Sequence, residues 1–99
     1  MTGATTLTPP THSGSRPQAQ AITAALPVDL SATDVLLDCA GMTVGAPSFL
    51  DELIKQVLVS RRAKTLEVIA APERVRELLE RAAANHGVEE RLRVAARGA

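Results

Sequence analysis

The feature that most constrains the fold is a helical pattern that lies between two short apolar runs, residues 35–37 and 66–69. In the stretch between these runs, apolar side chains recur three and four residues apart, as they do on one face of an α-helix. They are Phe49, Leu50, Leu53, Ile54, Val57 and Leu58. A helix that connects two short strands in this way makes a right-handed crossover between parallel neighbours. We therefore predict adjacent parallel strands at about residues 34–39 and 65–70.

The same alternation of strand and helix patterns extends over the rest of the chain. A first helix is predicted from Ser15, a good N-terminal cap, to Pro27, which cannot continue a helix. Another begins at Pro72 and ends at Gly87, and residues 91–94 alternate as an edge strand does. The predicted fold class is α/β, with a small, mostly parallel or mixed sheet of about four strands and crossover helices.

The N-terminal segment differs in composition from the rest of the chain, being rich in Thr, Pro, Ser and Gly. Such a segment buries little apolar surface, so we predict that residues 1–14 are flexible, with room for one short strand at residues 4–7. Residues 15–96 are predicted to form a single domain, because a chain of 99 residues usually contains only one.

Composition argues against several classes of partner. The chain has 11 basic and 11 acidic residues and one aromatic residue, Phe49, so it lacks both the positive surplus and the stacking rings of a nucleic-acid-binding protein. A single cysteine, Cys39, excludes an internal disulfide framework and a multi-cysteine zinc site. No apolar run approaches the roughly 20 residues that span a bilayer. We expect a cytoplasmic protein with no cofactor, no metal, no nucleic acid and no membrane partner.

The central segment VLLDCAGMTVGAPSFLDELIKQVL resembles the centre of STAS-like domains, the family that includes bacterial anti-sigma-factor antagonists, and most closely a branch of unknown function. The preceding Ser15-Arg16 is similar to the start of the first helix in that branch. The positions of the central segment that carry the likeness are Asp38, Cys39, Gly41, Met42, Ser48, Phe49, Asp51, Glu52 and Leu53. The resemblance implies a non-enzymatic regulatory module of bacterial signalling, with a histidine-kinase-like ATPase or an anti-sigma factor as partner.

Ser48 has two interpretations that the sequence leaves open. In antagonists of sigma-factor control the equivalent helix start is phosphorylated on a serine, and Ser48 falls at that position, so the resemblance makes it a candidate phospho-switch. The residues themselves favour a helix cap, because Ser48 and Asp51 have the spacing of a capping box. First-turn acids are ordinary in helices, and we expect Asp51 to pair with Lys55 and Glu77 with Arg81, each four residues apart.

No catalytic residue is predicted, because no nucleophile has a matched base. Cys39 is expected to be a small buried apolar residue, Asp38 to bind loop amides, and His86 to end a helix.

A binding site is predicted instead at one edge of the sheet, where the loops that follow parallel strands gather. We expect this edge to bring together the loops at residues 11–16, 41–48 and 70–72. The predicted partner-binding edge consists of Arg16, Asp38, Gly41, Ser48, Asp51, Glu52 and Lys55. Alternative functions at this edge are a small-ligand or anion sensor and a subunit of a stable hetero-complex.

Overall fold

A four-stranded parallel sheet, in the order β1-β3-β5-β6, forms the centre of the computed structural model, which describes residues 3–95. Its strands are β1 (Gly3–Leu7), β3 (Thr33–Asp38), β5 (Thr65–Ile69) and β6 (Leu92–Val94). Val35 pairs with Leu66 and Leu37 with Val68, so the predicted parallel neighbours are confirmed. Two short segments, β2 (His12–Ser13) and β4 (Val44–Gly45), form a second parallel pair.

The helices are α1 (Arg16–Thr23), α2 (Pro47–Ile54) and α3 (Glu73–Asn85). Ser15 caps α1 as predicted, and Gln18 completes a capping box by accepting a hydrogen bond from the Ser15 N–H at 3.1 Å. The helix ends at Thr23 rather than at Pro27. The Thr23 hydroxyl donates to the carbonyl of Ala19, a bond that competes with the regular backbone ladder.

Burial alternates along each strand, which shows that only one face of the sheet is covered. Val35, Leu37, Leu66 and Val68 are fully buried beneath the helices, whereas their neighbours in sequence, such as Glu67, lie on the opposite face. The helices form one layer, with α1 against α2 and α2 against α3. The fold is therefore an α/β structure of two layers, with one sheet face left uncovered by residues 3–95.

The end of α2 changes into a π-helical segment, Lys55–Ser60. Wider turns of this kind leave backbone carbonyl groups without their regular partners. Arg91 donates to one of them, the carbonyl of Leu58, at 2.8 Å, and also to the carbonyl of Ala63, beyond this segment, at 2.7 Å. This arginine therefore ties the chain before β6 to the loop that precedes β5.

Helix α3 ends as the sequence predicts. Gly87 has a φ of 70°, in the left-handed region, and its N–H donates to Ala84. The N–H of Val88 reaches back to Ala83, which completes a Schellman motif, and the Val88 side chain is buried. His86 is the helix-terminal residue, as predicted.

The segment predicted to be flexible contains a strand of the main sheet. Gly3–Leu7 pairs with β3 along its whole length, and Leu7 is buried. Ser13 is buried too, and its hydroxyl donates to the carbonyl of Pro10 at 2.7 Å. The short strand suggested by the sequence is therefore present, while the flexibility of residues 1–14 stays a prediction. Residues 1–2 and residue 96 of the predicted boundaries lie outside the described residues.

Replacing Phe49 should destabilise the protein more than any other single change in the core. The ring is fully buried among leucine, isoleucine and valine side chains, and no other aromatic residue is present to compensate. We expect Phe49→Ala to lower the free energy of unfolding by about 3–5 kcal/mol, measured by urea denaturation. Phe49→Leu, which keeps most of the volume, should cost less than about 1.5 kcal/mol. A loss below about 1 kcal/mol for the alanine variant would contradict this burial.

Candidate functional site

Two loops at the carboxyl edge of the sheet are joined by the β2–β4 pair. The carbonyl of Thr11 accepts from the N–H groups of Thr43 and Val44 at 2.9 and 3.1 Å, and the carbonyl of Ser13 accepts from Ala46 at 2.8 Å. The predicted meeting of these loops is therefore confirmed. The joined loops lead directly into α1 and α2, so they fix where the two helices begin.

Gly45 of β4 comes close to the start of α3, the helix that follows the third predicted loop. A Cβ atom at Gly45 would lie 2.9 Å from the Met42 sulfur and 3.0 Å from Cγ2 of Val75, in the first turn of α3. Only a residue without a side chain allows the β4 backbone to approach α3 this closely.

A polar network connects the three helices behind these loops. Arg16 of α1 donates from Nη1 to Asp51 Oδ2 at 2.8 Å and to Glu52 Oε1 at 3.3 Å, both in α2. The other oxygen of Asp51 lies 3.0 Å from Nε2 of His86, at the end of α3. Arg16 and Asp51 are thus brought together as the predicted edge requires. The hydrogen bond from Arg16, followed by that from His86, holds the pKa of Asp51 below its usual value.

Glu52 belongs to this network but is directed inward. Its side chain is only 3% exposed, and its second oxygen accepts from Gln56 at 2.7 Å and Gln20 at 3.3 Å. These hydrogen bonds, with that of Gln56 largest, keep the pKa of Glu52 low despite the opposing effect of burial. The structure thus places Glu52 in the interior, where it holds α1 against α2, rather than on a partner-facing surface.

Two predicted ion pairs are wrong. Asp51 pairs with Arg16 and His86 from other helices instead of with Lys55, which is exposed. Within residues 3–95, Glu77 and Arg81 form no salt bridge either. Asp51 contacts Arg16 and His86 because α1 and α3 both pack against α2. An exposed ion pair within a single helix would contribute only a few tenths of a kcal/mol to the stability of the protein.

The prediction that Ser48 caps its helix is also wrong. Helix α2 begins earlier, at Pro47, with Ala46 in the cap position and no side-chain cap. Proline suits the first helical position because its missing N–H needs no partner there. The Asp51 carboxylate, engaged by Arg16 and His86, does not reach back to complete a capping box. Ser48 is therefore the second residue of α2, half-buried and with a free hydroxyl in the part of the chain that the structure describes.

Asp38 is the last residue of β3, and Cys39 and Gly41 follow it in the loop. The Asp38 carboxylate accepts from the N–H of Ala40 at 3.0 Å, as predicted for a loop-binding carboxylate. Cys39 is buried, and burial, together with the nearby Asp38, raises the pKa of its thiol to about 11. At neutral pH this thiol is protonated and a poor nucleophile. Gly41 is exposed and faces open space.

A cleft of about 330 Å³ lies between the start of α2 and the exposed side of α3. We call it the arginine cleft, defined by Arg16, Ser48, Asp51, Arg74 and Arg81. Arg74 and Arg81 were not among the residues predicted for the edge. Their spacing of seven residues, which places them two turns apart on one helix face, is a signal by which they could have been found.

A larger groove, of about 500 Å³, lies on the uncovered face of the sheet. It is lined mainly by strand side chains, among them Asp34, Thr65, Glu67 and Arg93, and the Thr65 hydroxyl donates to Asp34 at 2.7 Å. None of the predicted edge residues lines this groove. Among residues 3–95, no three His, Cys, Asp or Glu side chains converge so as to hold a metal ion.

Comparison of the chain with protein families, curated proteins and solved structures found no match. In the described part of the chain, no helix has the length and apolar character needed to cross a membrane. Proposals about function therefore depend on the site itself and on the STAS-like resemblance of the central segment.

Adding a methyl group at Gly45 should disturb the contact between the joined loops and α3. Because the new Cβ would clash with Met42 and Val75, we expect Gly45→Ala to lower the free energy of unfolding by about 1–3 kcal/mol in urea titrations. Gly41→Ala is the matched control, since nothing lies within 4 Å of its Cβ position, and should change stability by less than about 0.5 kcal/mol. Equal effects of the two substitutions would contradict the close approach.

Neutralising Glu52 should weaken the network and alter the acid stability of the protein. We expect Glu52→Gln to cost about 1–3 kcal/mol at pH 7, because charged hydrogen bonds to Arg16 and two glutamines are lost. A carboxylate whose pKa is lowered on folding stabilises the protein above its unfolded pKa of about 4.3, and this contribution disappears as pH falls through the folded pKa.

The measurement is urea unfolding of wild type and variant between pH 2.5 and 7, with exposed Glu67→Gln as the control. The difference between wild type and Glu52→Gln should shrink below about pH 4.3, whereas Glu67→Gln should stay within about 0.5 kcal/mol of wild type at pH 7. A difference that is constant over this range would show that the charge of Glu52 is not involved.

Proposed function

We propose that this chain is a non-enzymatic regulatory module that binds another protein with the surface around the joined loops and the arginine cleft. The observation that carries the proposal is the cleft itself, where Arg74 and Arg81, without ion-pair partners among residues 3–95, line the same cavity as Ser48. Val44, 47% exposed in the β2–β4 pair, adds an apolar side chain to the surface of the joined loops. Arginine is enriched at protein–protein interfaces and among the residues that carry most of their binding energy.

The side chains that could act as nucleophile and base at this site do not contact each other. Within residues 3–95, Ser48 makes no hydrogen bond with His86, whose Nε2 contacts Asp51 instead. Cys39 is buried with a raised pKa. These arrangements support a binding role over a nucleophilic mechanism, which needs a nucleophile within hydrogen-bond reach of its base.

The charge of the cleft favours an acidic partner surface, because complementary charges speed association and exclude wrong partners. On the STAS-like resemblance, we propose a cytoplasmic bacterial signalling pathway in which the partner is a histidine-kinase-like ATPase or an anti-sigma factor. The second candidate function, an anion sensor, is favoured by the same arginines. Titrating the protein with such an ATPase, in parallel with a panel of free nucleotides, separates the two.

A negative charge at Ser48 should interrupt partner binding without unfolding the protein. We expect Ser48→Asp to weaken binding of the ATPase at least about tenfold in calorimetric titrations, because the carboxylate neutralises the cleft. Its melting temperature should stay near that of wild type, since an acid in the first turn of α2 suits the helix dipole.

Ser48→Ala is the control. It adds no charge, so its affinity should fall much less than that of Ser48→Asp, and because no cap hydrogen bond is lost it should cost less than about 0.5 kcal/mol in stability. Identical affinities of all three proteins would eliminate Ser48 as a switch. Failure of wild type to bind any such ATPase or anti-sigma factor would remove the proposed partner class.

A further inference from the structure

Arg74 and Arg81 present two unpaired positive charges to one cleft. They lie on the same side of α3, with Leu78 between them, and all three residues line the arginine cleft. Within residues 3–95 neither arginine makes a salt bridge, although Glu77 lies four residues before Arg81. The two arginines thus line the same cleft as Ser48.

The acidic residue of the cleft does not compensate these charges. Asp51 is already bound by Arg16 at 2.8 Å and by His86 at 3.0 Å, so both of its oxygens have partners within the protein. Arg16 uses only Nη1 for its two carboxylate partners. Among the residues that line the cleft, Arg16 and Asp51 offset each other, so the remaining positive charge belongs to Arg74 and Arg81.

We propose that the arginine cleft binds a phosphorylated side chain of the partner protein, an inference that rests on the proposed function. Arginine pairs bidentately with phosphate oxygens, and a phosphate offers three terminal oxygens where a carboxylate offers two. Two guanidinium groups and the hydroxyl of Ser48 supply enough donors for all three. The first N–H groups of α2, which have no side-chain cap, add to them.

The dimensions of the cleft favour a single side chain of a protein over a nucleotide. Its volume of about 330 Å³ is at the lower end of the range for ligand pockets, which extends from about 300 to 1,000 Å³. Leu78 and Ala82 form an apolar floor against which the stem of a phosphorylated residue packs.

The test is calorimetric and NMR titration of the full chain with a library of nine-residue peptides that share a central phosphoserine. Matched libraries carry serine or glutamate at the centre, and inorganic phosphate is titrated separately. We expect the phosphoserine peptides to bind at least about tenfold more tightly than the other three probes and to shift the amide signals of Ser48 and Arg74. This binding should weaken as salt is added.

Arg74→Gln and Arg81→Gln should each reduce phosphopeptide affinity at least about tenfold. Arg76→Gln is the charge-matched control, because Arg76 is on the same helix but does not line the cleft, and it should keep both affinity and melting temperature. The melting temperatures of the two cleft variants should also match wild type, since both side chains are exposed. Equal loss of affinity in all three variants would overturn the assignment to the cleft.

Other outcomes overturn the inference in distinct ways. Serine peptides that bind as tightly as phosphoserine peptides would show that no phosphate is recognised, and phosphate that binds as tightly as the peptides would show a site for free anions. An ATPase complex that survives phosphatase treatment and Arg81→Gln unchanged would refute the inference while leaving the proposed function standing. Phosphopeptide binding without any ATPase or anti-sigma partner would refute the proposed partner class alone.

Discussion

Every crossover in the main sheet advances in the same direction, from β1 to β3, then to β5 and β6. Right-handed connections that all move one way must place their helices on the same face of the sheet. The layer of α1, α2 and α3 results from this constraint, and so does the uncovered face opposite it. Parallel sheets are usually covered on both sides. Here the uncovered face carries Thr6, Glu67 and Arg93, polar side chains that water can solvate.

The common direction of the crossovers also determines where binding groups can lie. Each strand ends at one edge of the sheet, and each following helix begins there, so Arg16, Ser48 and Arg74 enter the same region from three helices. Glu52 holds α1 to α2, because its buried carboxylate accepts from Arg16 and Gln20. Asp51 links α2 to the end of α3 through His86 at 3.0 Å. The two neighbouring carboxylates therefore connect the three helices that carry Arg16, Ser48 and Arg74.

Much of this fold could be predicted because the signals were local. The apolar runs and the helix between them required β3 and β5 to be parallel neighbours, and Ser15 with Gly87 marked helix ends through backbone chemistry alone. Several of the wrong predictions depended on contacts distant in sequence. Leu36 belongs to a continuous apolar run, which suggests burial on both sides, yet it is only half-buried because no helix covers its face.

The candidate site was likewise predicted only in part. The edge was predicted from topology, and Arg16 and Asp51 do meet there. The partner of Asp51 was wrong because His86 and Arg16 reach it only after α1 and α3 have packed against α2. For the same reason the sequence could not show that Arg74 and Arg81 face Ser48, since that depends on how α3 lies against the start of α2.

The position of Ser48 within α2 matters for ligand binding. A serine in the cap position uses its oxygen to accept from the N–H of the second or third helical residue, which fixes the orientation of its side chain in the folded protein. Pro47 moves the start of α2 forward, and Ser48 becomes the second helical residue, with no cap to make. Its hydroxyl is then available to a ligand that also contacts Arg74 and Arg81. In the cap position Ser48 would stabilise α2. As the second helical residue it is free to take part in binding.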